Sequence, residues 1–205
     1  MARDRSSIVK MSRREGYALH PKAHKALVKR TTPPGQQGTY SYRRKPSQYA
    51  IQLREKQKVK RIYGLMERQF AKLMTEAASR RGESGVTLLE FLERRLDNVV
   101  YRSEFAPSRR ASRQLVSHSH FLLNGRRVSV PSMRVQPGDI ISLRDHSQRI
   151  DYFKQLNDFI PPSGNLPGWL KVDRKKFEIK VIGNPSRDET EPDIKEQLIV
   201  EYYSR

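Results

Sequence analysis

The feature that most constrains this chain is where its charge lies. Residues 1–81 hold 21 Lys/Arg against 5 Asp/Glu, a net of +16 out of +19 for all 205 residues. Residues 82–160 hold 12 against 9, and residues 161–205 hold 8 against 8. A solvated face is normally mixed in sign, whereas a single-sign block repels itself and marks an interaction arm. The first two-fifths of the chain therefore calls for a polyanionic partner. Hydrophobic content is only 36%, so part of the chain is expected to rely on that partner for order. No apolar run approaches the roughly 18 residues of a spanning helix, and the basic N-terminus lacks the apolar core of a signal peptide. With no cysteine, disulfides, thiolate zinc sites and cysteine nucleophiles are excluded.

Residues 1–46 lack sustained periodicity. They carry few branched aliphatics (Ile8, Val9, Leu19, Leu27, Val28) and a breaker cluster, Thr31 to Gly38. An extended basic arm is expected there. Its end, Tyr40-Ser41-Tyr42-Arg43-Arg44-Lys45-Pro46, sets aromatics beside cations, which suits irregular RNA: rings stack on bases and cations take phosphates. Ser47 then caps a long helix. Val59, Ile62, Tyr63, Met66, Phe70, Leu73 and Ala77 fit its 3.6-residue period, and Gly82 ends it. Its other faces carry Arg54, Lys56, Lys58, Lys60, Arg61, Arg68 and Lys72, expected to face phosphate.

Thr87-Leu88-Leu89-Glu90 reads as a capping box opening a second helix, buried through Leu88, Phe91, Leu92, Leu96, Val99 and Val100. Ser108 caps a third, short helix in which Ala111 and Leu115 pack inward. Arg109, Arg110, Arg113 and Gln114 are then left on the outer surface at a helix start, a good phosphate site. The pattern next turns to strands: Phe121 to Leu123, the Asn124-Gly125 hairpin signal, Val128 to Val130, Ile140 to Leu143, Trp169 to Val172 and Phe177 to Val181. A helix is expected over Asp151–Phe159, a loop over Asn184–Pro192 and a helix over Asp193–Tyr203. The fold class is α+β.

The stretch Leu92 to Arg102, with Ser108-Arg109, Arg113 to His118 and Asn124-Gly125, resembles the RNA-binding module named after small-subunit ribosomal protein number four. That module occurs in many proteins, including pseudouridine synthases and tyrosyl-tRNA synthetases. The flanks narrow the resemblance. Ser12-Arg13-Arg14-Glu15-Gly16, Pro34-Gly35-Gln36-Gln37-Gly38, the string Gln52 to Val59 with Arg61-Ile62-Tyr63-Gly64, Glu67 to Phe70 and Leu198 to Glu201 all resemble the bacterial-type family of that ribosomal protein itself.

The resemblance implies a structural constituent of the small ribosomal subunit, cytoplasmic and not an enzyme. It implies a primary binder of the 5′ domain of small-subunit rRNA that nucleates assembly and neighbours small-subunit proteins three and five. It also implies a place near the messenger RNA entry channel and support of translational accuracy; some members repress their own messenger. No membrane, small-molecule substrate or cofactor is implied. The implied fold is two lobes: an arm over 1–46, a helical lobe over 47–91 completed by 183–205, and an inserted RNA-binding module over 92–182. The expected RNA contacts are Arg3, Arg13, Arg14, Arg43, Arg44, Lys45, Arg54, Lys56, Lys58, Lys60, Arg61, Arg68, Arg109, Arg110, Arg113, Gln114, His118, Asn124 and Arg126.

Many members hold zinc with four N-terminal cysteines, and this chain has none. His20 and His24 alone make a poor structural site, and His118-x-His120 is no better, so no metal is expected. Glu93 and Asp97 have arginines close by to pair with and need no catalytic role. An RNA-modifying enzyme using the module for targeting would need a catalytic domain, and residues 161–205 are too short to be one.

Overall fold

The computed structural model describes residues 6–36, 45–162 and 164–204. Arg3, Arg43 and Arg44 lie outside the described residues, as do Tyr40 and Tyr42. The chain divides into two compact units, Met1–Leu88 with Asp193–Arg205, and Leu89–Pro192.

The first unit is helical. It contains α1 (Ile8–Glu15), a 3-10 turn (Pro21–Ala23), α2 (His24–Lys29), α3 (Gln48–Ile62), α4 (Glu67–Ala78), the start of α5 (Ser84–Glu93) and α11 (Glu196–Tyr203). Over its described part the expected extended arm is thus corrected to short helices. Met11 and Ala23 are buried in spite of the weak pattern, while Val28 is exposed. Ser47 caps α3 as expected, its hydroxyl accepting from the Ala50 N–H at 3.3 Å.

The single long helix expected from Ser47 to Gly82 is two. Gly64 takes φ +64°, and the Leu65 N–H reaches back to the Lys60 carbonyl at 2.9 Å. This six-to-one bond with a left-handed residue is a helix stop. The break falls where the apolar phase is kept: Val59 and Ile62 bury before it, Phe70, Met74 and Ala77 after it, so periodicity alone runs straight through. Met66 is exposed, not core. Thr87 opens no helix either. It lies inside α5, its hydroxyl donates back to the Glu83 carbonyl, and Glu90 pairs with Arg94 at 2.8 Å.

The second unit is α+β. The rest of α5 is followed by α6 (Leu96–Arg102), α7 (Arg109–Ser117), the strands β1 (Phe121–Leu123), β2 (Arg126–Arg127) and β3 (Ile140–Leu143), three four-residue helices α8 (Asp145–Gln148), α9 (Asp151–Lys154) and α10 (Leu156–Phe159), and β4 (Leu170–Asp173) and β5 (Glu178–Val181). The strands form one sheet in the order β2-β1-β3-β5-β4, every pair antiparallel. Asn124 and Gly125 both take positive φ, +49° and +76°, as a two-residue hairpin turn requires. The returning strand is Arg126–Arg127 and not Val128–Val130, and the helix expected over 151–159 is broken between α9 and α10.

The expected second helix is likewise two, α5 and α6. Arg95 leaves helical geometry at ψ 136°, the Val135 N–H bonds to the Arg94 carbonyl, and the Leu96 N–H to the Met133 carbonyl. One turn of strand-like pairing replaces one turn of helix. The core packs α6 and α7 against one sheet face through Leu96, Val99, Val116, Phe121, Ile141 and Ile179.

Candidate nucleic-acid interface

The cations of α3 divide by what their chain neighbours offer. Lys56 is only 3% exposed. Its ammonium donates to Glu67 at 2.7 Å and lies 4.4 Å from the centroid of the Tyr202 ring. Its expected outward orientation is therefore corrected: it is buried under α11. Lys60 holds the other Glu67 oxygen at 2.9 Å, and the Tyr203 hydroxyl donates to Glu67 at 3.0 Å. Burial would raise the Glu67 carboxyl, but the bonds from Lys56, Lys60 and Tyr203 outweigh it and hold the pKa at about 2. The Tyr203 phenol is pushed up by burial and by the Glu67 charge.

Lys58 turns to the Asp193 carbonyl and to Glu55 at 3.4 Å. Arg54 and Arg61 both end on Glu15 of α1, whose side chain is fully buried. Burial raises the Glu15 carboxyl, while Arg54 and Arg61 pull it down. Arg13 donates to the Thr32 carbonyl at 2.9 Å. Arg54 stays half in solvent even so, and other cations of this unit are exposed. Lys10, Arg14, Lys22, Lys25, Lys29 and Arg30 on and around α1 and α2 are exposed, as are Lys45, Arg68 and Lys72.

In the second unit, α7 is capped by Ser108, whose hydroxyl accepts from the Ala111 N–H at 3.3 Å. Ser112 and Val116 are its fully buried positions; Ala111 and Leu115 are half-buried. This face turns Arg109 and Arg113 sideways, a correction to the outward cluster expected. Arg109 donates to Asn98 at 2.8 Å and to Glu191 at 2.7 Å, with its guanidinium 4.5 Å from the Tyr101 ring centroid. Arg113 reaches Asp97 at 3.2 Å, which also holds Arg95 through two bonds of 3.1 and 2.8 Å. Fully buried Glu93 clamps Arg102 at 2.9 Å and accepts from Asn98 at 2.7 Å. The expectation that Glu93 and Asp97 pair with arginines is met.

Arg110, Gln114, His118 and Arg126 are exposed. Asn124 spends its amide on the sheet: it donates to Asp139 at 2.8 Å and accepts from the Ile140 N–H at 2.9 Å. His120 accepts or donates to Ser147 at 3.0 Å, and burial, with His118 and Arg144 nearby, lowers its pKa. Among the described residues no three His, Cys, Asp or Glu side chains group as metal ligands, and no helix is long and apolar enough to cross a membrane.

What the sequence reading missed are partners far along the chain. Glu191 lies 82 residues from Arg109, and Tyr203 lies 136 from Glu67. The exposed cations of α1 and α2 other than Arg14 carry no motif and were visible only as net charge.

Two family models match the chain. Residues 3–93 match the ribosomal protein S4/S9 N-terminal domain, and residues 94–141 match the S4 domain. Similar proteins include the small ribosomal subunit protein uS4 of Chlorobium luteolum, 48% identical over 206 residues and covering 100% of both chains. The uS4A protein of Symbiobacterium thermophilum is 46% identical over 211 residues, and uS4 of a Roseiflexus species is 46% identical over 210, each again covering 100% of both chains.

Proposed function

Because this chain belongs to the ribosomal protein S4 family, we propose that its role as a structural, non-enzymatic component of the small ribosomal subunit is carried out by gripping the 5′ domain of small-subunit rRNA early in assembly. The observation that carries this reading is the exposed cationic surface of the helical unit, formed among the described residues by Lys10, Arg14, Lys22, Lys25, Lys29 and Arg30, in a unit whose sequence holds 23 Lys/Arg against 9 Asp/Glu. Such a surface is electrostatically frustrated until a polyanion covers it. The S4-domain unit supplies shape. Its motif arginines are held rigid by carboxylates, which leaves Arg110, Gln114, His118 and Arg126 on the surface to contact RNA. Small-subunit proteins three and five as neighbours, a place near messenger entry and an influence on accuracy complete the proposal, on the strength of the family resemblance.

Binding dominated by phosphate contacts falls linearly in log affinity against log salt. Six or more contacts cost roughly a thousandfold between about 50 and 200 mM salt. A filter-binding titration of the full chain with a 5′-domain transcript checks this, alongside an unrelated folded RNA of equal length. The expected result is a steep slope and a clear preference for the 5′ domain. A flat titration, or equal affinity for both RNAs, would sink the reading.

A further inference from the structure

The helical unit contains a cavity of about 310 Å³, walled by α1, by Arg61 of α3 and by the Pro34-Gly35 turn. That volume sits at the low end of the roughly 300–1,000 Å³ range of ligand pockets. Lys10 and Arg14 lie four residues apart and so share one face of α1; Met11, buried, flanks that face and also lines the cavity. Lys10 and Arg14 are exposed, and Arg14 stands near enough to Glu15 to pull its carboxyl down. Arg61 reaches the same space while paired with Glu15. Counting Arg54, which also ends on Glu15, the local balance among the described residues is four cations against one carboxylate.

The walls are thus divided. One part is cationic, from Lys10, Arg14 and Arg61; the other is formed by Met11, Pro34 and Gly35, with Ser6 beside them. A phosphate alone would leave the apolar wall unused, and an apolar side chain would leave the cations unsatisfied. A nucleotide uses both: its phosphate takes Lys10 and Arg14, and its base packs on Met11 and Pro34, since a thioether makes favourable contacts with aromatic rings. The S-to-ring contact and the stacked face are available only to a base removed from its own stack, which is how single-stranded RNA is commonly read.

We propose that this cavity seats one unstacked nucleotide of the bound RNA, its phosphate held by Lys10 and Arg14 and its base lodged against Met11 and Pro34. The proposal rests on the RNA-binding reading above and adds a defined seat to it. It separates two kinds of cation on the same short stretch of chain. Lys10 and Arg14 serve a fixed contact, whereas Lys25 and Lys29 of α2, also exposed but outside the cavity, serve only the general field.

The test uses the full chain and the 5′-domain transcript at one fixed salt concentration. The double variant Lys10→Gln/Arg14→Gln is compared with Lys25→Gln/Lys29→Gln, and the 2′-hydroxyl acylation pattern of the RNA is read with each protein. The expected result is a loss of affinity about tenfold larger for the first pair than for the second. One nucleotide whose reactivity changes with the wild-type chain and with the α2 variant should revert with the cavity variant. Equal losses with no single reverting nucleotide would overturn the seat and leave only diffuse charge. Displacement of the transcript by millimolar free mononucleotide, from the wild type but not from the cavity variant, would reassign the cavity to a free nucleotide. Failure of the wild type to bind the transcript at all would instead overturn the RNA-binding reading.

Discussion

The two units hold their charge in opposite ways. The helical unit has 23 Lys/Arg against 9 Asp/Glu, and the S4-domain unit 18 against 13. In the second unit, nearly every carboxylate around α5, α6 and α7 is spent on an arginine: Glu90 on Arg94, Glu93 on Arg102, Asp97 on Arg95 and Arg113, Glu191 on Arg109. In the first, Glu15 and Glu67 each gather two cations, and the cations of α1 and α2 other than Arg13 stay on the surface. A motif rich in arginine is therefore not by itself a contact surface. Where acids are interleaved with it, the arginines build the scaffold; where acids are missing, they wait for phosphate.

The strongest way to break this contrast is Glu93→Ala. The Glu93 side chain is fully buried and holds Arg102 and Asn98 together. Its removal leaves the Asn98 amide without its carboxylate acceptor and Arg102 with only the longer pair to Glu191 at 3.6 Å, at an expected cost of about 3–5 kcal/mol. Urea unfolding should show the midpoint falling with the slope unchanged. The matching change in the first unit, Lys25→Gln/Lys29→Gln, should stay within about 0.5 kcal/mol of wild type while weakening RNA binding. If the Glu93 variant lost less than about 1 kcal/mol, its ion pair would be no better than a surface pair and the contrast would collapse.

Much of this scaffold was legible locally. Ser47 and Ser108 cap the helices they were expected to cap, Asn124-Gly125 turns the hairpin, and the acid–arginine spacing of α5 and α6 announced its own pairing. Each of these is decided within a few residues. The break at Gly64 was hidden because the two helices keep one apolar phase across it. Lys56 and Arg109 were misplaced because their fates depend on Tyr202 and Glu191, brought close only by the tertiary fold. A cation's role is set by the acids and rings nearest in space, and sequence spacing does not report those that the far end of the chain supplies.

A smaller effect sharpens how the helical unit closes on its C-terminal helix. A Cβ at Gly85 would stand 2.9 Å from Glu196 Cγ and 3.0 Å from its Cβ, so α5 and α11 meet at a distance only glycine allows. Gly85→Ala gains helix propensity of about 1 kcal/mol but forces overpacking costing about 1–3 kcal/mol. A net loss of about 1 kcal/mol is expected in thermal or urea unfolding. A gain in stability would mean that α11 shifts freely and does not lock the unit.

The smallest effect concerns the charge at that lock. The Glu67 carboxyl is held at about 2, against an ordinary 4.5, by Lys56, Lys60 and Tyr203 working against burial. A depressed carboxylate stabilises the fold fully above its unfolded pKa and loses that contribution as pH falls toward its folded pKa. The window is thus pH 4.5 down to about 2. Because the Glu67 side chain is 46% exposed, solvent screening limits the contribution to about 1 kcal/mol. The stability difference between wild type and Glu67→Gln should hold near that value above pH 5 and shrink progressively through the window. Glu15 runs the other way: burial raises its carboxyl, so its protonation favours the fold at low pH, and that contribution fades as pH rises through its folded pKa. A wild-type-minus-Gln difference at Glu67 that stayed constant down to pH 2.5 would show that Lys56 and Lys60 bind the side chain by shape and not by charge. The first unit's acids would then share nothing with the clamping role that Glu93 and Asp97 play in the second.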